Sequence, residues 1–220
     1  FFVSRVDTEV DKRLAAAGGK YRIEWTKAWG GTLLKLGSES KGVADGVADL
    51  AIVSTIFEAP KFPLQNVSYF TPFGTDDVGL VSRSVAELQQ SVPAMGDAWT
   101  KNGLVYLGGM ALDSYHVWSK FPITKLEDLQ GMKWRVGGGM VNEISKALGM
   151  NVTLKPAPES YELLSTGVMD GTLFPAESVE GFKIDKVIKY ATLFPGGLYN
   201  TSFVFMMNQA KYDSMPPDVK

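Results

Sequence analysis

Apolar and polar positions along the chain change period repeatedly, and each change marks an element. Phe2, Val6, Val10 and Leu14 recur at helical spacing, which predicts a helix over residues 3–16. "LAIVSTIF" (50–57) is a continuous apolar run of a length that suits a buried strand and falls well short of a membrane span. The same reading gives helices over 38–45, 84–102, 140–148, 159–166 and 178–189, and strands over 21–26, 49–54, 104–110, 132–136, 151–155, 171–174 and 202–208. Helices alternating with short strands predict an α/β fold with mainly parallel sheets, because parallel neighbours need crossover connections. In open sheets of that kind ligands sit outside the carboxyl ends of the strands.

Two stretches echo one another. "ESKGVADGVADLAIVS" (39–54) and "ESYELLSTGVMDGTLFP" (159–175) both run from Glu-Ser through a helix to Gly-Val-Xaa-Asp and on into a strand. Gly46 and Gly167 fall where a left-handed residue closes a last helical turn, and Asp49 and Asp170 lead into the strands. Any helix-to-strand turn favours these residues. Their placement in the two halves of the chain nevertheless suggests two similar lobes, and two lobes make a cleft.

Composition narrows the classes of function. The 220 residues are 45% hydrophobic and 21% charged, enough to bury a substantial core. The formal net charge is -2 with lysines and arginines scattered, which excludes the basic stripe of a nucleic-acid or anionic-membrane binder. There are no cysteines, so disulfides and thiolate chemistry are excluded. The chain opens on a helix whose preceding strand reads as missing, and closes on "YDSMPPDVK", where Pro216 and Pro217 suit a first helical turn. A trimmed chain is the expectation.

"KWRVGGGM" (133–140) sets Arg135 in a strand that reads as buried and follows it with three glycines. An arginine at the carboxyl end of a strand, with small residues letting a ligand approach, presents a planar fork that suits a carboxylate. Alternatively its stem lies on apolar surface and its head reaches solvent or a structural carboxylate such as Glu143. Residue chemistry alone leaves both readings open.

"ITKLEDLQGMKWRVGGGMVNEISKALGMNVTLKPAPESYELLSTGVMDG" (123–171) resembles the central region of the periplasmic solute-binding proteins of TRAP-type transporters. "EDLQGMKWRV" (127–136) matches the stretch that leads to that family's ligand-clamping arginine. "GVADLAIVS" (46–54), "PLQNVSYFTPFGT" (63–75) and "FMMNQAKYDSMPPD" (205–218) look like further segments of it, in order along nearly the whole chain. The resemblance implies a two-lobed α/β periplasmic-binding fold: lobe I from residues 1–112 plus 203–220, lobe II from 113–202. It further implies hinge strands near 108–118 and 200–206, a small organic acid clamped by Arg135, a periplasmic location and delivery to membrane permease subunits. No cofactor or metal is expected. The family also implies a long helix continuing past residue 220.

Departures from the family pattern sharpen the ligand. Phe121 in "SKFPI" (119–123) stands where many members carry a second arginine, and Leu173 and Phe174 stand where many place an Asn or a metal-assisting Glu-Trp pair. One cation then remains in an apolar, aromatic setting, which implies a monocarboxylate with an apolar or aromatic body. The family pattern also directs attention to Ser54, Thr55 and Phe57 after the first-lobe strand, to Phe174 and Glu177 after the second-lobe strand, and to Tyr161. Each has a plainer reading: a satisfied turn for the hydroxyls, a solvated helix start for Glu177, packing for Tyr161. Trp29 precedes two glycines at an expected loop, where its ring would cover a ligand or simply join the core.

Two alternatives come from other classes. Asp113, Glu159 and Glu177 would pair in a cleft if the scaffold carried an enzyme, although His116 is the only histidine and no nucleophile elbow or phosphate loop is present. "RVGGGM" fails the dinucleotide fingerprint because position 142 is Asn. A ligand-sensing receptor domain is the other alternative, and fold alone does not choose between them.

Overall fold

The computed structural model describes residues 5–220, with every side chain except those of residues 139 and 140. Phe2 therefore lies outside the described residues; the first helix, α1, is seen over Asp7–Ala16. Two sheets organise the chain.

The first sheet has three strands, β1 (Leu50–Ser54), β2 (Leu104–Ala111) and β8 (Ser202–Asn208), in the order β1-β8-β2. Both pairings are antiparallel, with Ile52 opposite Phe205 and Met110 opposite Phe203. Helices α2 (Glu39–Ala44), α3 (Val78–Ser91) and α4 (Pro93–Lys101) pack with it around Val43, Val53, Phe62, Trp99, Leu104, Val204 and Met206. The Phe62 and Trp99 rings stack at 4.6 Å.

The second sheet has five strands: β3 (His116–Ser119), β4 (Lys133–Val136), β5 (Asn151–Leu154), β6 (Gly171–Phe174) and β7 (Tyr190–Thr192). Their order is β5-β4-β6-β3-β7. β4 pairs in parallel with β5 on one side and β6 on the other, while β3 pairs antiparallel with β6 and β7. Helix α5 (Gly139–Ala147) joins β4 to β5, α6 (Ser160–Ser165) leads into β6, and α7 (Ala176–Gly181) follows it. The remaining helix, α8 (Gln209–Ser214), follows β8.

The α/β class stands, but the expectation of mainly parallel sheets does not, since among the described residues only the β4 pairings are parallel. Periodicity reports that a strand is buried and is silent about its partner, and β8 reaches the first sheet only after the second is complete. Residues 21–26 lie outside both sheets, so their backbone lacks the ladder that makes a strand. The helix expected over 84–102 is two helices: Val92 is extended ahead of Pro93, which has no N–H to continue α3. The helix expected over 178–189 ends at Gly181, with Lys183 left-handed at φ 58°.

The echoed turns are alike. Gly46 and Gly167 both follow a short helix at φ 77° and 79°, and each N–H returns to a carbonyl of the last turn, Val43 and Leu164.

Two segments run side by side between the sheets. Leu112 N–H donates to Thr201 O, Tyr115 N–H to Tyr199 O and Leu198 N–H to Tyr115 O. The Asn200 side chain fastens them further, donating to Leu112 O and Ser114 Oγ at 3.3 Å.

Candidate functional site

β4 runs through α5 to β5 on one flank, whereas its other neighbour, β6, continues into α7. The carboxyl ends of two parallel strands whose connections lead in opposite directions leave a crevice between them, the usual ligand position in such sheets. Arg135 lies in β4 and Gly137 just after it, and Phe174 ends β6, with Glu177 following in α7.

Arg135 is only 2% exposed. Its Nε and Nη2 donate to Lys155 O at 2.8 and 2.5 Å, which leaves three of its five N–H donors without a hydrogen-bond partner among the described residues, two of them on the outer edge of the fork. No carboxylate among the described residues forms a salt bridge with it; Glu143 pairs with Lys146 and Glu159 with Lys155. The guanidinium lies 4.6 Å from the centroid of the Phe174 ring, which itself stacks on Phe182 at 5.7 Å. Burial lowers the Arg135 pKa to about 10, so the group remains a cation at neutral pH. A buried cation held by a single carbonyl is under-compensated, and an arriving anion relieves that cost.

The crossing segments bring tyrosines to this cation. Tyr115 and Tyr199 stack at 4.4 Å, Tyr69 stacks on Tyr199 at 5.3 Å, and Tyr115 and Tyr199 lie within electrostatic reach of Arg135. Burial raises all three phenols above their ordinary value, keeping them neutral donors. Tyr69 meets Ser54 Oγ at 3.4 Å. The buried Thr201 hydroxyl lies close to the Tyr69 and Tyr115 hydroxyls without a well-formed hydrogen bond to either.

The residues singled out in the sequence fall into different surroundings. Arg135 and Phe174 are in contact, and Ser54 joins through Tyr69. Thr55 is buried but its hydroxyl is engaged, donating to Asn66 Oδ1 at 3.0 Å, as the satisfied-turn reading has it. Phe57 packs against the cores of both sheets. Glu177 sits against Asp113; its pKa is raised by burial first, then by that second carboxyl. Trp29 and Tyr161 are open to solvent, at 50% and 42%. Sequence reasoning missed Tyr69, Tyr115 and Tyr199: far apart in the chain, they meet only through the crossing of residues 112–115 and 198–201.

Residues 11–220 match the family model of bacterial extracellular solute-binding proteins, family 7. The chain belongs to this family. Within it, a "Solute-binding protein" of Albidiferax ferrireducens is 26% identical over 200 residues, covering 86% of this chain and 55% of the relative. The chain thus spans little more than half the length of that relative. Among solved structures, a TRAP periplasmic solute binding protein from Bordetella bronchiseptica with bound (R)- and (S)-mandelate is 32% identical, with a TM-score of 0.83 over 99% of this chain and 67% of that one. A TRAP solute binding protein from Rhodoferax ferrireducens T118 in complex with copurified benzoate is 26% identical, with a TM-score of 0.83 over 98% of this chain and 66% of that one. These likenesses show the two-lobed α/β periplasmic-binding fold.

Proposed function

We propose that this chain forms the ligand-binding body of a TRAP-type receptor that captures a small aromatic monocarboxylate in the periplasm and presents it to membrane permease subunits. The observation that carries the reading is Arg135: almost wholly buried, hydrogen-bonded among the described residues only to Lys155 O, with its outer edge making no hydrogen bond among them and Phe174 beneath it. A carboxylate fits that edge bidentately. The aromatic walls of Phe174, Tyr115 and Tyr199 suit a flat apolar body better than a second charge. Mandelate and benzoate in two related structures support the same class of ligand.

In this reading the protein acts by binding. The lobes divide as 1–112 plus 203–220 and 113–202, and the crossing segments absorb the rotation between them. The acid favours the closed arrangement because only there do Arg135 and the groups around residues 54 to 57 surround it together. Among the described residues no helix is long and apolar enough to cross a membrane.

The test is a thermal-shift screen against benzoates, phenylacetates, 2-oxo acids, dicarboxylates and sugar acids, repeated on Arg135→Gln. Stabilisation by aromatic monoacids that grows with concentration and disappears in the variant is expected. Tight binding of a dicarboxylate or sugar acid with aromatic monoacids inert would overturn the ligand class. Equal shifts in wild type and Arg135→Gln would remove Arg135 from the site.

A further inference from the structure

Phe174 is held from behind at two points. Its ring stacks on Phe182 with centroids 5.7 Å apart and planes 16° from parallel, and its carbonyl accepts the Trp118 indole N–H at 2.7 Å. Trp118 and Phe182 both pack against the small core of Leu164, Met169, Phe174, Val179 and Ile184. Phe182 reaches that core because the chain turns sharply just beyond it. Its N–H closes α7 by donating to Ser178 O at 3.0 Å, and Lys183 then takes the left-handed conformation at φ 58°. Such a conformation is uncommon for a residue with a side chain and persists where the surroundings impose it. Here Ile184 follows at once and is wholly buried, so the turn is anchored on both sides of the strained residue.

Three flat groups are therefore linked in series: Phe182 backs Phe174, and the guanidinium of Arg135 lies over Phe174 at 4.6 Å. Trp118 fixes the main chain of Phe174, whereas the stack with Phe182 bears on the ring. A recognition group keeps its aim only when the side chain supporting it is itself locked by packing. We infer that Phe182 is a positioning residue for the anion site, setting the attitude of the Phe174 ring and through it the orientation of the Arg135 fork. The inference rests on the carboxylate reading of Arg135 and extends it to a residue that acts without touching the ligand. Two consequences separate this role from ordinary core packing. Position 182 needs a flat ring rather than apolar volume, and its influence on binding vanishes once the Phe174 ring is gone.

The experiment measures benzoate, phenylacetate and mandelate by titration calorimetry and stopped flow on Phe182→Leu, Phe182→Met and Phe182→Tyr. Each change is made in the wild-type and in the Phe174→Leu background, with ligand-free melting temperatures alongside. In the wild-type background Phe182→Leu and Phe182→Met are expected to bind about fivefold more weakly through faster dissociation, and Phe182→Tyr within about twofold of wild type. In the Phe174→Leu background the same changes are expected to shift affinity by less than about 1.5-fold. Ordinary packing would instead lower the melting temperature in both backgrounds and leave affinity alone. Unchanged affinity in Phe182→Leu and Phe182→Met, a Phe182→Tyr protein as weak as Phe182→Leu, or a fivefold loss that persists in the Phe174→Leu background would each overturn the inference. Failure of all three acids to bind wild type would sink the carboxylate reading, and the inference with it.

Discussion

The guanidinium of Arg135 lies over the ring of Phe174 at 4.6 Å, across adjacent parallel strands. The contact does two things at once. It lets a charged group be buried without a carboxylate partner, since the ring supplies a negative face. It also holds the fork, whose inner edge is fixed by Lys155 O, in one position.

Arg135→Lys keeps the charge and loses both the fork and the flat contact with Phe174. A lysine is a point donor that cannot hold two carboxylate oxygens in one plane. We expect aromatic-acid affinity to fall by about tenfold or more, equivalent to roughly 1.4 kcal/mol. Titration calorimetry with benzoate and mandelate checks this, and unchanged affinity would contradict the bidentate arrangement.

Phe174→Leu preserves an apolar side chain but removes the ring beneath the cation and the stack on Phe182. The lost cation–π contact is worth on the order of 0.5–2 kcal/mol. Because the Arg135 fork is no longer held flat, the ligand is expected to dissociate faster while association changes little. Stopped-flow measurement of both rates separates the two, and a pure loss of association rate would argue for a blocked entrance instead.

Gly137 controls space beside the fork. A Cβ placed there would stand 3.5 Å from Arg135 Nη2 and 4.0 Å from Nη1, an ordinary contact that alanine fits. A branched residue would extend across the outer edge. Gly137→Ala is therefore expected to bind nearly as wild type, and Gly137→Val to lose affinity by about tenfold or more with a similar ligand-free melting temperature. A Gly137→Val protein that binds normally would place the carboxylate elsewhere.

How much of this was legible in the sequence depends on how local each feature is. β4 and its arginine were legible because "KWRVGGG" carries strand, charge and turn in one short stretch. The two glycine caps, Gly46 and Gly167, were legible for the same reason. The tyrosine cluster was not, because Tyr115 and Tyr199 meet only where two distant segments cross between the sheets. Strand direction was not legible either: β8 comes last and enters the first sheet between β1 and β2, and nothing in its own apolar pattern records that. Thr55 reads in sequence either as a ligand contact or as a satisfied turn, and only Asn66, placed against it by the fold, decides for the second.

His116 is expected to make the fold sensitive to acid. It faces Phe174 across β3 and β6, and its Nδ1 accepts the Phe194 N–H at 3.2 Å, which requires that nitrogen to be unprotonated. Burial lowers its pKa below the ordinary value of 6.5, against a smaller upward pull from Asp76. A lowered folded value means the unfolded chain takes up the proton first as the pH falls through about 6.5, so stability declines from there until the folded value is passed. Urea midpoints should drop as the pH falls below about 6.5, and His116→Gln should flatten that part of the profile. An identical slope in the variant would assign the acid sensitivity to the carboxylates.

The two units meet closely at Gly138 and Ile56. Gly138 precedes α5 in the second unit, and a Cβ built on it would fall 2.7 Å from Cδ1 and Cγ1 of Ile56, in the turn that follows β1 of the first. Its backbone is extended at φ -160°, so alanine suffers no conformational strain, and its nearest obstacle is the isoleucine. Gly138→Ala must therefore push the halves apart or force Ile56 off its rotamer, at a cost of about 1–3 kcal/mol. If closure over the ligand requires this contact, Gly138→Ala weakens acid binding, whereas the same change in an Ile56→Ala background is close to neutral. The double-mutant cycle should show a coupling energy of roughly 0.5–3 kcal/mol in binding. Coupling in unfolding stability with none in ligand affinity would make the contact a permanent weld between the units, with closure occurring elsewhere.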